Sequence, residues 1–423
     1  MPRHIYVDCT ETARVGALTG IQRTVRSIVR AASMAAGENV VPVRFDGAAF
    51  VWLDAASRAR LSQPAGHQRA LHEHTRRLAV SALAPAVRGE WLARGRDIAS
   101  RSYWALRRLR ATAGNAAPIR YAPGDWLVLL DATWTPDIRR EMARARTGGA
   151  RVCVAIYDLI KLRRPDLVSP GAAPIYARWL ERVLPLSDLV ATISRAVADD
   201  VVEHLQASGR GALASKVRHF PLGADFETDG RAGVVSAAVS SALDGHRERT
   251  FVAVGSLEPR KDQATIVSAF DRLWRDGVDA RLVLVGRPGW ASDALVRRLA
   301  GHRERGARLF WFADASDADL AYCYRNARAL VNVSLAEGYG LPLVEGLRHG
   351  LRVIASDIPA FREVAAGAAT FIPTGDSAKL ADAVVSVLRE PAGVAASLPA
   401  PVTWADSARA LLALLREADQ GLP

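Results

Sequence analysis

Apolar and polar positions alternate in blocks along the 423-residue chain. Nine short apolar runs have the length and residue types of buried strands, and helical periodicity fills several of the intervals between them. These runs are residues 4–8, 126–130, 152–156, 189–193, 251–255, 280–286, 308–312, 329–333 and 351–355. Strands that alternate with helices predict an α/β protein with parallel sheets.

The runs fall into two series, separated by residues 226–250, which are rich in Gly, Ala and Ser and show no strand pattern. We interpret this interval as a linker between an N-terminal domain (1–225) and a C-terminal domain (251–404). The chain is long enough for each domain to bury its own core. The predicted fold is therefore two doubly wound domains that face each other across a cleft.

The formal charge of +12 is unevenly distributed between these domains. Residues 1–222 contain 33 basic and 19 acidic side chains, whereas residues 223–423 contain 23 and 25. The chain has no zinc-finger spacing, RNP signature or helix-turn-helix pattern, so we expect no nucleic-acid partner. A basic half suits an anionic acceptor or an anionic membrane surface instead.

One basic segment, within an insertion at about 84–120, interrupts the α/β pattern. Residues 88–110 carry seven arginines together with Trp91, Tyr103 and Trp104. Two interpretations stay open for Arg88 to Arg110: a solvated amphipathic helix, or a basic-aromatic surface that rests on anionic lipid headgroups as a peripheral membrane contact.

Location is predicted from the cysteines and from hydropathy. The three cysteines, Cys9, Cys153 and Cys323, are scattered among apolar residues and form neither a metal-binding spacing nor a disulfide framework. The N-terminal residues lack the apolar core of a signal peptide, and no apolar run reaches the length of a membrane span. We therefore expect reduced cysteines in a cytoplasmic protein, in contact with the inner face of the membrane at most.

The sequence SLAEGYGLPLVE (334–345) joins a predicted strand to a predicted helix. Gly338 and Gly340 allow a sharp turn or a close approach to a ligand, and Pro342 is well placed in the first turn of a helix that begins at Leu341. Unpaired N–H groups at such a helix start bind anions.

Two carboxylates, Glu337 and Glu345, flank this turn. They would repel a bare phosphate, but they can accept hydrogen bonds from hydroxyl groups of the same ligand. A nucleoside-diphosphate sugar offers both phosphates and hydroxyls, so it is the ligand that this segment predicts.

A second loop, VGSLEPRKD (254–262), places Arg260 and Lys261 between another strand and helix. Fixed cations can stabilise the negative charge that builds on a departing diphosphate. The Asp199-Asp200 pair lies within a helical pattern, and the acidic stretch 313–320 looks like a helix cap. We therefore expect no metal and no other cofactor.

The E-x7-E spacing, the EGYGLPLVE wording and the following LRVIASDIPAFREV (351–364) resemble the donor domain of GT-B glycosyltransferases of family 4. This resemblance implies two Rossmann-like domains. It implies that Glu337 contacts the transferred sugar near the reacting centre and that Glu345 holds the ribose. The donor-binding backbone at the turn would be that of Gly338, Tyr339, Gly340 and Leu341.

The VGSLEPRKD loop resembles the family's diphosphate clamp. By this resemblance Lys261 binds the leaving diphosphate, with Gly255 and Ser256 beside the donor. Many family members have arginine directly after the glycine, where this chain has Ser256. Arg260, in the LEPRK wording of one subgroup, would supply the missing charge.

The N-terminal half resembles the family more loosely. GALTGIQRTVR (16–26) resembles the glycine loop of a mannosyltransferase-like subgroup, which implies that Gly20 approaches the donor phosphates and that Gln22 and Arg23 lie near donor or acceptor. The loop at 156–166 often reads His-Asp in the family but reads Tyr157-Asp158 here. Asp158 either binds an acceptor hydroxyl or only orders its loop.

This resemblance implies a hexosyltransferase that retains the configuration of the sugar, and the lack of a metal-site pattern adds that it is metal-independent. It would transfer mannose, or a deoxymannose such as rhamnose, from a GDP-linked donor to a bacterial surface polysaccharide such as O-antigen or capsule, whose acceptor end is a glycan carried on a lipid pyrophosphate. Residues 405–423 would form a helix that folds back on the N-terminal domain. Two alternatives remain: a nucleotide-sugar epimerase of the same fold, and a non-catalytic glycan-binding subunit.

Overall fold

The computed structural model describes residues 3–15, 19–35, 39–62, 117–132, 134, 138–225, 233–391 and 402–421. The basic segment 88–110 lies outside these ranges, as do residues 226–232 of the predicted linker. Two sheets organise the described chain.

The first sheet has the strand order β3-β2-β1-β4-β5-β6-β7. Every neighbouring pair is parallel except β2 and β3, which are antiparallel at one edge. Its strands are β1 (His4–Asp8), β2 (Asn39–Phe45), β3 (Phe50–Trp52), β4 (Trp126–Leu129), β5 (Arg151–Ile156), β6 (Leu189–Thr192) and β7 (Val217–His219).

Seven described helices accompany this sheet. They are α1 (Thr10–Val15), α2 (Gly20–Met34), α3 (Ala55–Ser62), α4 (Ile138–Thr147), α5 (Ile160–Arg163), α6 (Ala172–Val183) and α7 (Arg195–Ala207). Thr19 and Gln22 start α2 with a reciprocal capping box, in which the Thr19 hydroxyl accepts from the Gln22 N–H and the Gln22 side chain accepts from the Thr19 N–H.

The second sheet is entirely parallel, in the order β10-β9-β8-β11-β12-β13. Its strands are β8 (Thr250–Val254), β9 (Arg281–Val285), β10 (Leu309–Phe312), β11 (Ala329–Asn332), β12 (Arg352–Ser356) and β13 (Ala369–Ile372). The strand order reverses direction between β8 and β11, and ligands of doubly wound sheets bind beyond the carboxyl ends of the strands at such a point.

The second domain contributes α8 (Ala237–Leu243), α9 (Gln263–Arg275), α10 (Asp293–Ala300), α11 (Asp317–Arg325), α12 (Leu341–Arg348), α13 (Pro359–Ala365) and α14 (Ser377–Arg389), and the described chain ends in α15 (Trp404–Asp419). Helix α8 lies inside the interval interpreted as linker, yet its buried side chains pack in the core of the second domain. This part of the interval is therefore structured.

Helix α15 packs on the first domain. Its Leu411, Leu412 and Leu415 join the same apolar cluster as Ile5 and Val7 of β1. The crossing that leads to this helix is tight, because a Cβ at Gly223 would lie 2.3 Å from the Trp404 nitrogen.

All nine predicted strands are confirmed to within about two residues at their ends, and the α/β fold with two parallel sheets is confirmed. The sequence analysis missed four strands, β2, β3, β7 and β13. Strands β3 and β7 have three residues each, β2 is buried only at alternate positions, and β13 lies at a sheet edge. Such segments lack the continuous apolar run that marks a strand buried on both faces.

Candidate active site

The two motifs of the second domain follow neighbouring strands. Residues 255–262 follow β8, residues 333–340 follow β11, and these two strands pair directly. The Leu335 N–H donates to the Arg260 carbonyl (2.8 Å), so the two loops are joined through their backbones. Both motifs therefore meet at the point where the strand order reverses.

Glu337 is the centre of a buried ion-pair cluster. One carboxylate oxygen, Oε2, accepts from Arg260 Nη1 at 2.6 Å, while Oε1 accepts from Lys261 Nζ and from Ser334 Oγ, the latter at 2.9 Å. The Glu337 side chain is 8% exposed. Arg260 also pairs with Glu258, at 3.2 Å. Arg260 therefore contacts both carboxylates, whereas Lys261 contacts Glu337.

This pairing sets the ionisation of the cluster. Burial alone would raise the pKa of Glu337, but the charges of Arg260 and Lys261 and the hydrogen bonds of Lys261 and Ser334 lower it to about 2. Burial lowers the pKa of Lys261, and the Glu337 carboxylate opposes that effect. Glu337 is therefore ionised at neutral pH.

Gly255 and Ser256 form the start of the cation loop. Gly255 has a φ of +149°, and a Cβ built on it would lie 3.6 Å from the Lys261 side chain. The Ser256 hydroxyl donates to Glu258 (2.8 Å). Gly286, at the end of the neighbouring β9, is required by packing, because a Cβ there would lie 2.0 Å from the Gly255 carbonyl oxygen.

The glycine turn that follows Glu337 has a demanding geometry. Gly340 occupies the N-cap of α12 with a φ of +103°, and a Cβ at this position would lie 2.6 Å from the Phe361 ring. Pro342 lies in the first turn of the helix, as predicted. The Tyr339 hydroxyl donates to the Leu222 carbonyl (2.8 Å) and so binds the turn to the first domain.

Glu345, one turn into α12, is held by a residue of the other domain. Arg23 of α2 donates to one carboxylate oxygen at 2.5 Å, and the Tyr324 hydroxyl donates to the other at 2.8 Å. The side chain is 2% exposed. Burial raises the pKa of Glu345, although Arg23 and Tyr324 act to lower it.

The predicted glycine loop of the first domain lies close to this helix. Gly20 is the first residue of α2, and a Cβ at Gly20 would lie 3.8 Å from Leu341 Cδ1. Gln22 is buried and caps α2, so the structure gives its side chain a part in the helix start. Gly20 and Arg23 thus face α12 and its glycine turn, whereas Gln22 faces its own helix.

Asp158 lies on the other side of the glycine turn. The Tyr157 backbone lies so close to Gly338 that a Cβ at Gly338 would lie 2.0 Å from the Tyr157 carbonyl oxygen and 3.3 Å from Asp158 Cβ. Asp158 Oδ1 accepts from the Ile160 N–H (3.0 Å), and the Tyr176 hydroxyl donates to the Asp158 carbonyl (2.8 Å). The aspartate therefore orders its loop.

The structure also places residues at this cleft that the sequence analysis did not single out. Lys161 and Trp134 lie beside Asp158, and Ser194 Oγ donates to the Gly338 carbonyl at 2.7 Å. Lys161 is one of only four lysines and comes three residues after Asp158. The closeness of Lys161 to Asp158 in the sequence was the only signal that could have indicated it. Trp134 had no such signal, because it is distant along the chain.

Comparison with known proteins places this site in a family. Residues 241–407, which carry both motifs of the second domain, match the family described as glycosyl transferases group 1. The chain carries a group 1 glycosyltransferase domain. The resemblance read from the EGYGLPLVE and LEPRK motifs is confirmed at this level.

Among proteins similar to this glycosyltransferase-domain chain is the serotype-specific mannosyltransferase WbdA of Escherichia coli, 31% identical over 314 residues that cover 71% of this chain and 38% of the relative. The chain thus spans little more than a third of that relative's length. A phosphatidyl-myo-inositol mannosyltransferase of Mycobacterium leprae is 28% identical over 298 residues, 66% of this chain and 74% of the relative.

The fold has solved counterparts. Sucrose-phosphate synthase from Thermosynechococcus elongatus superposes with a TM-score of 0.59 at 18% identity, over 99% of this chain and 94% of that chain. The two parallel-sheet domains are those of the GT-B glycosyltransferase fold, which confirms the predicted fold.

Proposed function

We propose that this protein is a retaining, metal-independent hexosyltransferase. It transfers mannose, or a deoxymannose such as rhamnose, from a GDP-linked sugar to a growing bacterial surface polysaccharide. The observation that carries the proposal is the Glu337–Arg260–Lys261 cluster, which lies beside a glycine turn and a helix N-terminus where the strand order reverses.

The cluster suits the departure of a diphosphate. The acceptor oxygen forms a bond to the anomeric carbon on the face from which the diphosphate oxygen leaves, and the leaving phosphate takes the acceptor proton. Lys261 and Arg260 balance the charge that develops on the diphosphate, and the N–H groups at the start of α12 add to this effect. Glu337 holds both cations in place and faces the transferred sugar.

The remaining donor contacts follow from the other carboxylate. Among the described residues, one carboxylate oxygen of Glu345 accepts from Arg23 and the other from Tyr324. A carboxylate offers about four acceptor positions, so Glu345 has acceptor capacity left for the ribose hydroxyls. The names of the two mannosyltransferase relatives, together with the GIQR and LEPRK motifs, support a mannose-type donor linked to GDP.

We further propose an acceptor and a site of action. A glycan on a lipid pyrophosphate would bring the acceptor to the inner face of the cytoplasmic membrane, where Arg88 to Arg110 would contact anionic lipid. Among the described helices, none combines the length and apolar character needed to cross a bilayer.

The experiment that tests the proposal is a binding and transfer assay with nucleotides. GDP, UDP, dTDP and ADP are compared by thermal shift with and without magnesium, because a ligand that binds only the folded state at a hundredfold excess over Kd stabilises it by about 2.7 kcal/mol. We expect a shift with GDP that magnesium does not change, and transfer of mannose from GDP-mannose with retained configuration. A magnesium-dependent shift, or inverted product, would contradict the proposal.

A further inference from the structure

The ammonium group of Lys161 lies in the cleft in an unusual environment. Its Nζ is 3.9 Å from the centre of the Trp134 ring and 4.8 Å from that of Tyr176. The faces of aromatic rings attract a cation. They do not provide the oxygen or nitrogen acceptors to which the three N–H groups of an ammonium donate. The Lys161 ammonium makes no hydrogen bond and no ion pair with any described residue.

The rings around this ammonium form a wall. Tyr176 and Trp179 are buried and stack with centroids 5.4 Å apart, while Trp134 packs edge-on against both and stays partly exposed. The Tyr176 hydroxyl donates a hydrogen bond to the Asp158 carbonyl. This bond attaches the aromatic rings to the loop that contacts Gly338. Lys161 and Trp134 therefore belong to a surface that is attached to the loop beside Gly338.

The charged groups near Lys161 indicate the part of the cleft in which its ammonium group lies. Those that act on it belong to Asp158, Arg260 and Glu258, all on the Glu337 side of the cleft. Neither residue of the cross-domain pair, Arg23 and Glu345, is among these charges. A donor that extends from Glu345 to Glu337 puts its sugar at the Lys161 end, so the group that attacks the sugar must arrive there.

Charge balance also limits what can bind. Among the described residues, three cations (Lys161, Arg260 and Lys261) and three carboxylates (Asp158, Glu258 and Glu337) lie in this region. A bound diphosphate makes the region negative, and an anionic group next to it would be repelled. A neutral sugar is not repelled, and its hydroxyl oxygens can accept the hydrogen bonds that Lys161 has available.

We propose that Lys161 and Trp134, backed by Tyr176, form the subsite for the terminal neutral sugar of the acceptor. The apolar face of that sugar packs on the exposed part of Trp134, and Lys161 donates hydrogen bonds to its hydroxyls. This inference rests on the proposed function for its donor, but the subsite can bind a sugar whether or not transfer follows.

The test compares Lys161→Met, which keeps the aliphatic chain and removes the charge, with the control Lys379→Met, an exposed lysine on α14 of the second domain. The probes are octyl α-mannoside as acceptor, GDP-mannose as donor and GDP for binding. Loss of hydrogen bonds from a charged donor predicts a rise of about 10- to 100-fold in the KM for octyl α-mannoside. We expect the GDP affinity and the hydrolysis of GDP-mannose by water to stay within about twofold of wild type, since neither step uses the acceptor subsite.

Two other results with Lys161→Met would overturn the inference. A GDP affinity weakened about tenfold or more would assign Lys161 to the diphosphate, and an unchanged acceptor KM would also overturn the inference. If the wild-type protein transfers nothing, the proposed function fails, and the subsite is then tested by saturation-transfer NMR of octyl α-mannoside in the presence of GDP. A signal that Lys161→Met and Trp134→Leu abolish, and Lys379→Met retains, supports the subsite; equal signals or none with wild type overturn it.

Discussion

Glu337 and Glu345 belong to one twelve-residue segment, but their partners come from different places. Glu337 is bound by Arg260 and Lys261 of its own domain, whereas Glu345 is bound across the cleft by Arg23. Both side chains are almost fully buried. The pKa of Glu337 is nevertheless lowered to about 2, while that of Glu345 is raised.

The difference follows from the number of cations that each carboxylate meets. Two cations and a hydroxyl outweigh the effect of burial on the pKa of Glu337. One arginine and one hydroxyl do not outweigh the effect of burial on the pKa of Glu345, which the charge of Asp317 raises further. The first carboxylate depends only on the fold of the second domain. The second also depends on how the two domains meet, because Arg23 belongs to the first domain.

The largest effect is expected at Glu337. Glu337→Gln removes the charge that positions Arg260 and Lys261, and loss of such a preorganised group lowers turnover by roughly 10²–10³. Transfer from GDP-mannose measures this, with Glu304→Gln as a control, since Glu304 pairs with Arg308 far from both motifs. Near-normal transfer by Glu337→Gln would refute its assignment to the reacting centre.

The same carboxylate predicts a dependence of stability on pH. Because the pKa of Glu337 falls from the ordinary 4.5 to about 2 on folding, its ionisation stabilises the folded state by about 3 kcal/mol above pH ~5, and this contribution is lost as the pH falls towards 2. Urea unfolding of wild type and Glu337→Gln should therefore show a difference that shrinks from about pH 6 to about pH 3. A difference that stays constant over this range would contradict the lowered pKa.

Gly338→Ala tests the contact between the domains at the turn. Its Cβ would lie 2.0 Å from the Tyr157 carbonyl oxygen, so the first domain must move by about 1 Å or more, and a displacement of that size costs about 10²-fold in rate. The matched control is Gly367→Ala. Gly367 has a positive φ but open space around its Cβ position, so this variant should lose stability without losing transfer. Equal transfer by both variants would mean that the close approach is not needed.

The smallest effect is expected at the cross-domain pair. In a double-mutant cycle of Arg23→Met and Glu345→Gln, we expect a coupling of about 0.5–3 kcal/mol in GDP affinity, because the two side chains contact each other directly. Small-angle scattering should show a more open cleft for Arg23→Met than for wild type. Strictly additive losses would show that the pair does not couple nucleotide binding to closure.

The sequence alone determined the strands that carry the donor motifs and the order in which those motifs occur. Continuous apolar runs mark strands buried on both faces, and the VGSLEPRKD and EGYGLPLVE segments each contain a strand end, a loop and a helix start within a dozen residues. Such local patterns depend on steric preferences and on hydrogen bonds between near neighbours. The Glu337 cluster could therefore be anticipated from two short segments.

Only the tertiary structure decided which residues of the first domain face that cluster. Trp134, Lys161 and Tyr176 are separated by up to 42 positions, and Arg23 is 322 positions from Glu345. These side chains come together because of the order of the strands in each sheet and the way the two domains pack. Neither property produces a periodic pattern of residues in the sequence. Lys161 lies over the rings, and Arg23 reaches across the cleft, because packing brings distant segments together. The residues of the proposed acceptor subsite therefore became visible only in three dimensions.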